Sequence, residues 1–189
     1  MRRAIFGGTF DPIHHAHLVV AREAADAFSL DQVLFIPAAN PPHKEAGTPY
    51  EHRYKMVELA CTEDSRFLPS RLEQEPRKSY SIHTIERVKS IGGVTGEVFF
   101  VIGADAFAEI QSWFRWQDVV REVEFIVVTR PGHDYESPPG ACVHRLETVA
   151  LPVSSSEIRA ALARGETPAE LPQAVLDYIR ANGLYTTSP

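Results

Sequence analysis

The chain has 189 residues, 44% of them hydrophobic and 23% charged, with 19 Lys plus Arg against 25 Asp plus Glu and a formal net charge of −6. That acidic balance argues against a nucleic-acid partner, because an extended duplex-binding surface takes most of its affinity from clustered cations. Two isolated cysteines, Cys61 and Cys142, exclude a disulfide scaffold and lack the paired spacing of a zinc or redox motif.

The length suits one domain over residues 1–189. The apolar run behind Met1 stops too early for a signal-peptide core or a membrane span, so a reduced, cytoplasmic protein is expected. Residues 4–6 form a short apolar run leading into Gly7 and Gly8, and 16–28 repeats apolar residues in a helical rhythm: strand, loop, helix. Residues 32–36 predict a second buried strand, closed by Pro37 and followed by the loop Asn40-Pro41-Pro42-His43-Lys44. Helices are expected at 50–61 and 81–91. The stretches 97–102 and 124–129 are apolar almost throughout, as strands buried on both faces are, and run into Gly103 and into Arg130-Pro131-Gly132. A mobile loop is expected at 131–140, a last strand at 142–146, and helices at 155–164 and 172–182, the second stopped by Gly183.

Buried strands separated by helices predict an α/β fold, a Rossmann-like doubly wound parallel sheet in three αβα layers with C-terminal helices. In such sheets ligands sit beyond the carboxyl ends of the strands, where the topology reverses direction. Polar residues at 7–9, 37–44, 103–105 and 130 therefore outrank the rest.

Gly7-Gly8-Thr9-Phe10-Asp11-Pro12-Ile13-His14-His15-Ala16-His17 follows the first strand. Two glycines there let backbone N–H groups approach a phosphate, and a helix N-terminus follows. Neither G-x-G-x-x-G nor G-x-x-x-x-G-K-[ST] is present, so a nucleotide would be held by another device. His14 and His17 share one face of a helix that starts near them. Imidazoles in that place donate to phosphate oxygens, lie on the surface as polar helix starters, or join His15 as metal ligands. Val153-Ser154-Ser155-Ser156-Glu157-Ile158-Arg159 opens another helix with hydroxyls, free N–H groups and a guanidinium, which together suit a polyphosphate. The plainer reading is a helix cap worth ~1 kcal/mol beside a solvated arginine.

Taken together, Gly7 to His17 and Ser154-Ser155-Ser156-x-Ile158-Arg159 resemble the paired signatures of the nucleotidyltransferase superfamily, and within it the bacterial nicotinate-nucleotide adenylyltransferase family. Asn40 to Lys44, Ser79-Tyr80-Ser81-x-x-Thr84, Gly103-Ala104-Asp105, Trp113 and Arg130-Pro131-Gly132 follow in that family's order, so the resemblance covers residues 4 to about 185. It implies transfer of the adenylyl group of ATP to nicotinate mononucleotide, a step of NAD biosynthesis, with Mg²⁺ accompanying the ATP, no metal held by protein side chains, and an oligomer among the possible states.

By that resemblance His17, His14 and Arg159 are catalytic. Gly7, Gly8, Thr9, Phe10, Lys44, Gly103, Asp105, Ser154 and Ser155 bind ATP, with Asp105 on the ribose hydroxyls. Thr84 holds the nicotinate carboxylate, Trp113 stacks on its ring and Arg130 sits on the acceptor side. For Asp105 a cap on a helix at 106–110 is the structural alternative, and for Trp113 it is core packing beside Phe114 and Trp116. Two departures stand out: Ala16 where the family most often has glycine, and His83 where it commonly has aspartate. The rival readings are an adenylyltransferase for nicotinamide mononucleotide or phosphopantetheine, a metal-dependent hydrolase built on His14, His15 and His17, and a nucleotide sensor without catalysis.

Overall fold

A computed structural model describes residues 1–41, 47–75, 78–91, 97–149 and 153–186. Six strands, β1 (Arg3–Gly8), β2 (Gln32–Pro37), β3 (Phe67–Pro69), β4 (Val98–Gly103), β5 (Glu124–Thr129) and β6 (Cys142–Glu147), form one sheet in the order β3-β2-β1-β4-β5-β6. Every neighbouring pair is parallel. The chain thus winds outward from β1 in one direction through β3, returns to β4 on the other side, and continues to β6, which is the doubly wound order.

Because side chains alternate along a strand, each strand feeds two cores. Ala4, Val33, Phe35, Phe99 and Val101 face one side. There they meet the apolar stripes of α1 (His15–Ala27), α2 (Tyr50–Ala60), α6 (Ser155–Ala163) and α7 (Gln173–Ala181). Ile5, Ile36, Phe100, Ile102 and Val127 face the other, against α3 (Ser81–Ser90), α4 (Ala104–Ala108) and α5 (Trp116–Glu122). The expected three layers and C-terminal helices are present.

Three features depart from the expected pattern. β3 is three residues long and ends in proline, too short to alternate visibly. The helix after β4 runs over 104–108 rather than 106–110, with Asp105 inside its first turn and Gly103 at its N-cap. Ahead of α5 the chain turns at Arg115 with φ 53°, a left-handed position that sequence gives no reason to expect of an arginine. Between β5 and β6 the chain has no regular structure, as expected of a loop. Among the described residues no helix is long and apolar enough to cross a membrane.

Candidate active site

β1 and β4 are neighbours whose outgoing connections cross to opposite sides, so a crevice opens at their carboxyl ends. It is a cleft of about 670 Å³, lined by Gly7, Gly8, Thr9, Gly103 and Trp113 among others. A Cβ built on Gly7 or Gly103 meets nothing within 4 Å, and neither residue has a positive φ. What these two glycines provide is space on the cleft side rather than backbone freedom. Gly8 differs, since a Cβ there would come within 3.1–3.3 Å of the Phe10 ring.

The loop after β1 is held from beneath by buried charge. Phe10 takes φ 48° and its ring is buried against Phe6, Phe35 and His17, so what it offers a ligand is main chain. Asp11, 4% exposed, accepts hydrogen bonds at Oδ2 from the N–H groups of Gly47 (3.2 Å) and Thr48 (3.3 Å), and at Oδ1 from the Tyr185 hydroxyl (2.6 Å). Burial alone would raise the Asp11 pKa, but bonds from Thr48 and Tyr185 and the nearby Arg159 charge hold it below the usual carboxylate value. Arg53, 1% exposed, donates to the carbonyls of Thr48 (2.9 Å), Thr9 (2.7 Å) and Ala38 (2.8 Å). Asp11 and Arg53 are thus opposite charges buried within one small hydrogen-bonded unit.

At the end of this loop His14 caps α1. Its N–H donates to His17 Nδ1 at 3.2 Å, and the two rings lie 3.8 Å apart between centroids. Because His17 Nδ1 accepts that bond, its proton resides on Nε2, leaving an N–H donor. His14 Nδ1 is buried without a partner among the described residues. Burial, reinforced by His14, holds the His17 pKa well below 6.5, and burial pushes His14 down to about 4. Both rings are therefore neutral at pH 7 and act as hydrogen-bond donors and acceptors.

A stability consequence follows from the depressed His14 value. The unfolded chain binds this proton below pH 6.5, the folded chain only near pH 4, so stability is complete above pH 6.5 and is lost as pH falls toward 4. Urea unfolding at pH 5 against pH 7.5 is expected to show a loss of about 2 kcal/mol from this group, with His17 acting in the same direction. Glu73, whose pKa burial raises, acts oppositely over that range. The difference between wild type and His14→Gln isolates the histidine term, and an identical pH slope in the two proteins would refute it.

The second signature docks onto the first. Ser154 is the N-cap of α6 and accepts from Glu157 N–H at 3.2 Å, while the Glu157 carboxylate accepts from Ser154 N–H at 3.1 Å. That box leaves the N–H groups of Ser155 and Ser156, at the first two helical positions, without intrahelical partners. Ser155 Oγ donates to the Pro12 carbonyl (3.0 Å), and Arg159 donates to the Asp11 carbonyl (2.7 Å) and to Ser156 Oγ (3.2 Å). A helix N-terminus and a guanidinium are thus fixed against the loop that carries the two histidines.

The remaining expected residues are distributed differently. Trp113 lies half-buried in the cleft wall, edge-on to Phe100 at 6.0 Å, with Tyr80 and Phe114 lining the same cleft and Trp116 packed against the adjoining core. Thr84 is buried and its hydroxyl donates to Glu73, which lines the cleft where Thr84 does not. Asp105 is fully solvent-facing, 3.8 Å from His133. Arg130 is exposed just past β5. Lys44 falls outside the described residues. The backbone N–H of His15 donates to the Glu170 carbonyl (2.7 Å), and His14, His15 and His17 do not bring three ligand atoms together.

Sequence reasoning singled out neither Arg53, Tyr185 and Glu73 nor any structural role for Asp11. Arg53 carried a readable signal: with Met56, Val57 and Ala60 it occupies the buried stripe of α2, where an arginine must find carbonyls.

The cytidylyltransferase-like family model matches residues 5–161. The chain is 56% identical over 187 residues, 98% of its own length and all of the relative's, to the "Probable nicotinate-nucleotide adenylyltransferase" of Solibacter usitatus. It is 40% identical over the same shares to the one so named in Thermus thermophilus. Among solved structures it is similar to the Plasmodium falciparum nicotinic acid mononucleotide adenylyltransferase complexed with NaAD (TM-score 0.81, 21% identity, 97% of each chain). A second structure of that enzyme, complexed with APC, gives a TM-score of 0.79 with 97% of this chain and 96% of that one covered.

Proposed function

We infer the reaction from the chain's family: it belongs to the cytidylyltransferase-like family and, within it, to the nicotinate-nucleotide adenylyltransferases. The enzyme is a nucleotidyltransferase that joins ATP to nicotinate mononucleotide. A phosphate oxygen of the mononucleotide bonds to the α-phosphorus of ATP, the bond from that phosphorus to the bridging oxygen breaks, and its electron pair leaves on pyrophosphate. The nucleophile is already ionised at neutral pH, so no general base is needed. Positioning and charge stabilisation are the work left to the protein.

The observation that carries the site assignment is the docking of Ser155 on the Pro12 carbonyl and of Arg159 on the Asp11 carbonyl, beside the two neutral histidines. In this reading the His17 Nε2–H and His14 contact the reacting phosphates, Arg159 with the free N–H groups of α6 holds the outer phosphates, and Ser154 and Ser155 keep that helix end in place. Gly7, Gly8, Thr9, Phe10 main chain and Gly103 border the nucleotide, and Asp105 takes the ribose hydroxyls. Trp113, flanked by Tyr80 and Phe114, receives the pyridine ring. Thr84 exchanges its bond to Glu73 for one to the nicotinate carboxylate, with Arg130 nearby. For Lys44 the phosphate-holding role rests on sequence alone.

Among the described residues no group of three metal-binding side chains stands at the cleft. A divalent ion brought with ATP, Mg²⁺ in this reading, would be carried mainly by the substrate, as is usual for Mg²⁺, and would supply neutralising charge for the leaving pyrophosphate. The free thiols of Cys61 and Cys142 suit the reducing cytoplasm in which we place this reaction.

Pyrophosphate release with ATP and Mg²⁺, measured against nicotinate mononucleotide, its amide and phosphopantetheine, tests the reading. The highest kcat/KM is expected for the nicotinate acceptor. A preference for the amide would overturn the acceptor assignment, and ATP binding without release would favour a sensor.

A further inference from the structure

At the end of the sheet opposite the cleft, three donors of different chemistry converge. Glu124 opens β5, Cys142 opens β6, and the parallel register sets them opposite each other. His144 lies two residues along β6 and so returns to the same face. One ligand atom from each lies within 4.8 Å of the other two, and His144 Nε2 is 2.6 Å from Glu124 Oε2. The adenylyl-transfer site uses none of these residues.

We propose that Glu124, Cys142 and His144 bind a divalent transition-metal ion of the zinc class, with water completing the coordination. A thiolate, an imidazole and a carboxylate are the donors such an ion selects, whereas Mg²⁺ and Ca²⁺ reject sulfur. A tetrahedral ion with bonds of ordinary length needs ligand atoms about 3.3–3.6 Å apart. Parting the Glu124–His144 hydrogen bond by under about 1 Å meets that need for the imidazole and carboxylate, and the Cys142 sulfur, within 4.8 Å of both, has to close to about 3.6 Å. The donors stand on two hydrogen-bonded strands rather than on loops, which favours a defined geometry.

The surroundings support an ion further. The His144 ring rests against Phe28 and Phe99, at 5.3 and 5.9 Å between centroids, which limits its rotation. Cys142 is exposed, and Glu124 and His144 are partly so, leaving a path for the ion and its water. As the sulfur–metal bond forms, the Cys142 thiol proton passes to solvent.

Full-length protein freed of metal with a chelator and titrated with Co²⁺ alone provides the test. The expected result is a near-ultraviolet thiolate-to-cobalt band that saturates at one ion per chain and is displaced by Zn²⁺. Cys142→Ser should abolish the band, His144→Ala should weaken binding by more than about tenfold, and Cys61→Ser should leave it intact. Adenylyl transfer by Cys142→Ser is expected to match wild type, because the two sites occupy opposite strand ends. Absence of a saturable band at millimolar cobalt, or a band that survives in Cys142→Ser, would overturn the site.

Discussion

Replacing His17 with alanine is expected to lower kcat by about 10²- to 10³-fold, the range for loss of one donor aimed at developing charge, while ATP affinity changes only a few-fold. The asymmetry comes from the protonation state. A neutral imidazole carries no charge with which to attract ground-state triphosphate, and burial keeps His17 neutral throughout the physiological range. Its Nε2–H gains most when negative charge grows on the oxygen it meets, so the bond strengthens on the way to the transition state. Single-turnover rates combined with ATP binding by calorimetry separate the two quantities. An equal loss in both would mean that His17 contributes uniform binding and no transition-state stabilisation. His17→Gln is expected to retain part of the rate, because its amide can still donate.

The largest effect on stability is expected at Arg53. Arg53→Met would strand the carbonyls of Thr9, Ala38 and Thr48 and remove one of the two positive charges near Asp11, leaving Arg159. Leaving buried acceptors without donors costs about 1–3 kcal/mol apiece, so a loss of about 3–5 kcal/mol is expected, which for a chain of this size lowers Tm by roughly 10–15 °C. Arg53→Lys should not rescue it, since one ammonium group cannot span carbonyls held by a planar fork. The double variant Arg53→Met with Asp11→Asn should be less destabilised than the sum of the singles. Additivity of the two within about 0.5 kcal/mol, read from urea unfolding, would show that Asp11 and Arg53 do not interact.

How much of this was legible differs by the range of the interaction. Strands at 97–102 and 124–129 announced themselves because both faces are buried, so apolar residues run unbroken. The helix over 50–61 needed only local rhythm. Both segments proposed to face phosphate were visible because each combines glycine or hydroxyl residues with a helix start inside one short window. The contacts joining these segments were not. Ser155 meets Pro12 across 143 residues, and no local pattern encodes such a meeting. Thr84 looked available for a ligand because its partner, Glu73, is eleven residues away and comes into reach only through the fold. Likewise, Cys142 and His144 show no zinc spacing because their third partner stands eighteen residues earlier, on another strand, and is aligned by sheet register alone.

The hydroxyl of Tyr185 is bonded to Asp11 across 174 residues of chain. A ribosome makes the amino-terminal part first. When it has completed all six strands, the loop with both histidines already exists, yet its anchoring hydroxyl and the Arg159 side chain are still unmade. A nascent chain stalled after residue 147 would therefore lack both the groups that brace this loop and the helices α6 and α7 that cover one face of the sheet. On the role proposed for Arg159, such a product is expected to show no adenylyl transfer even where its sheet has formed.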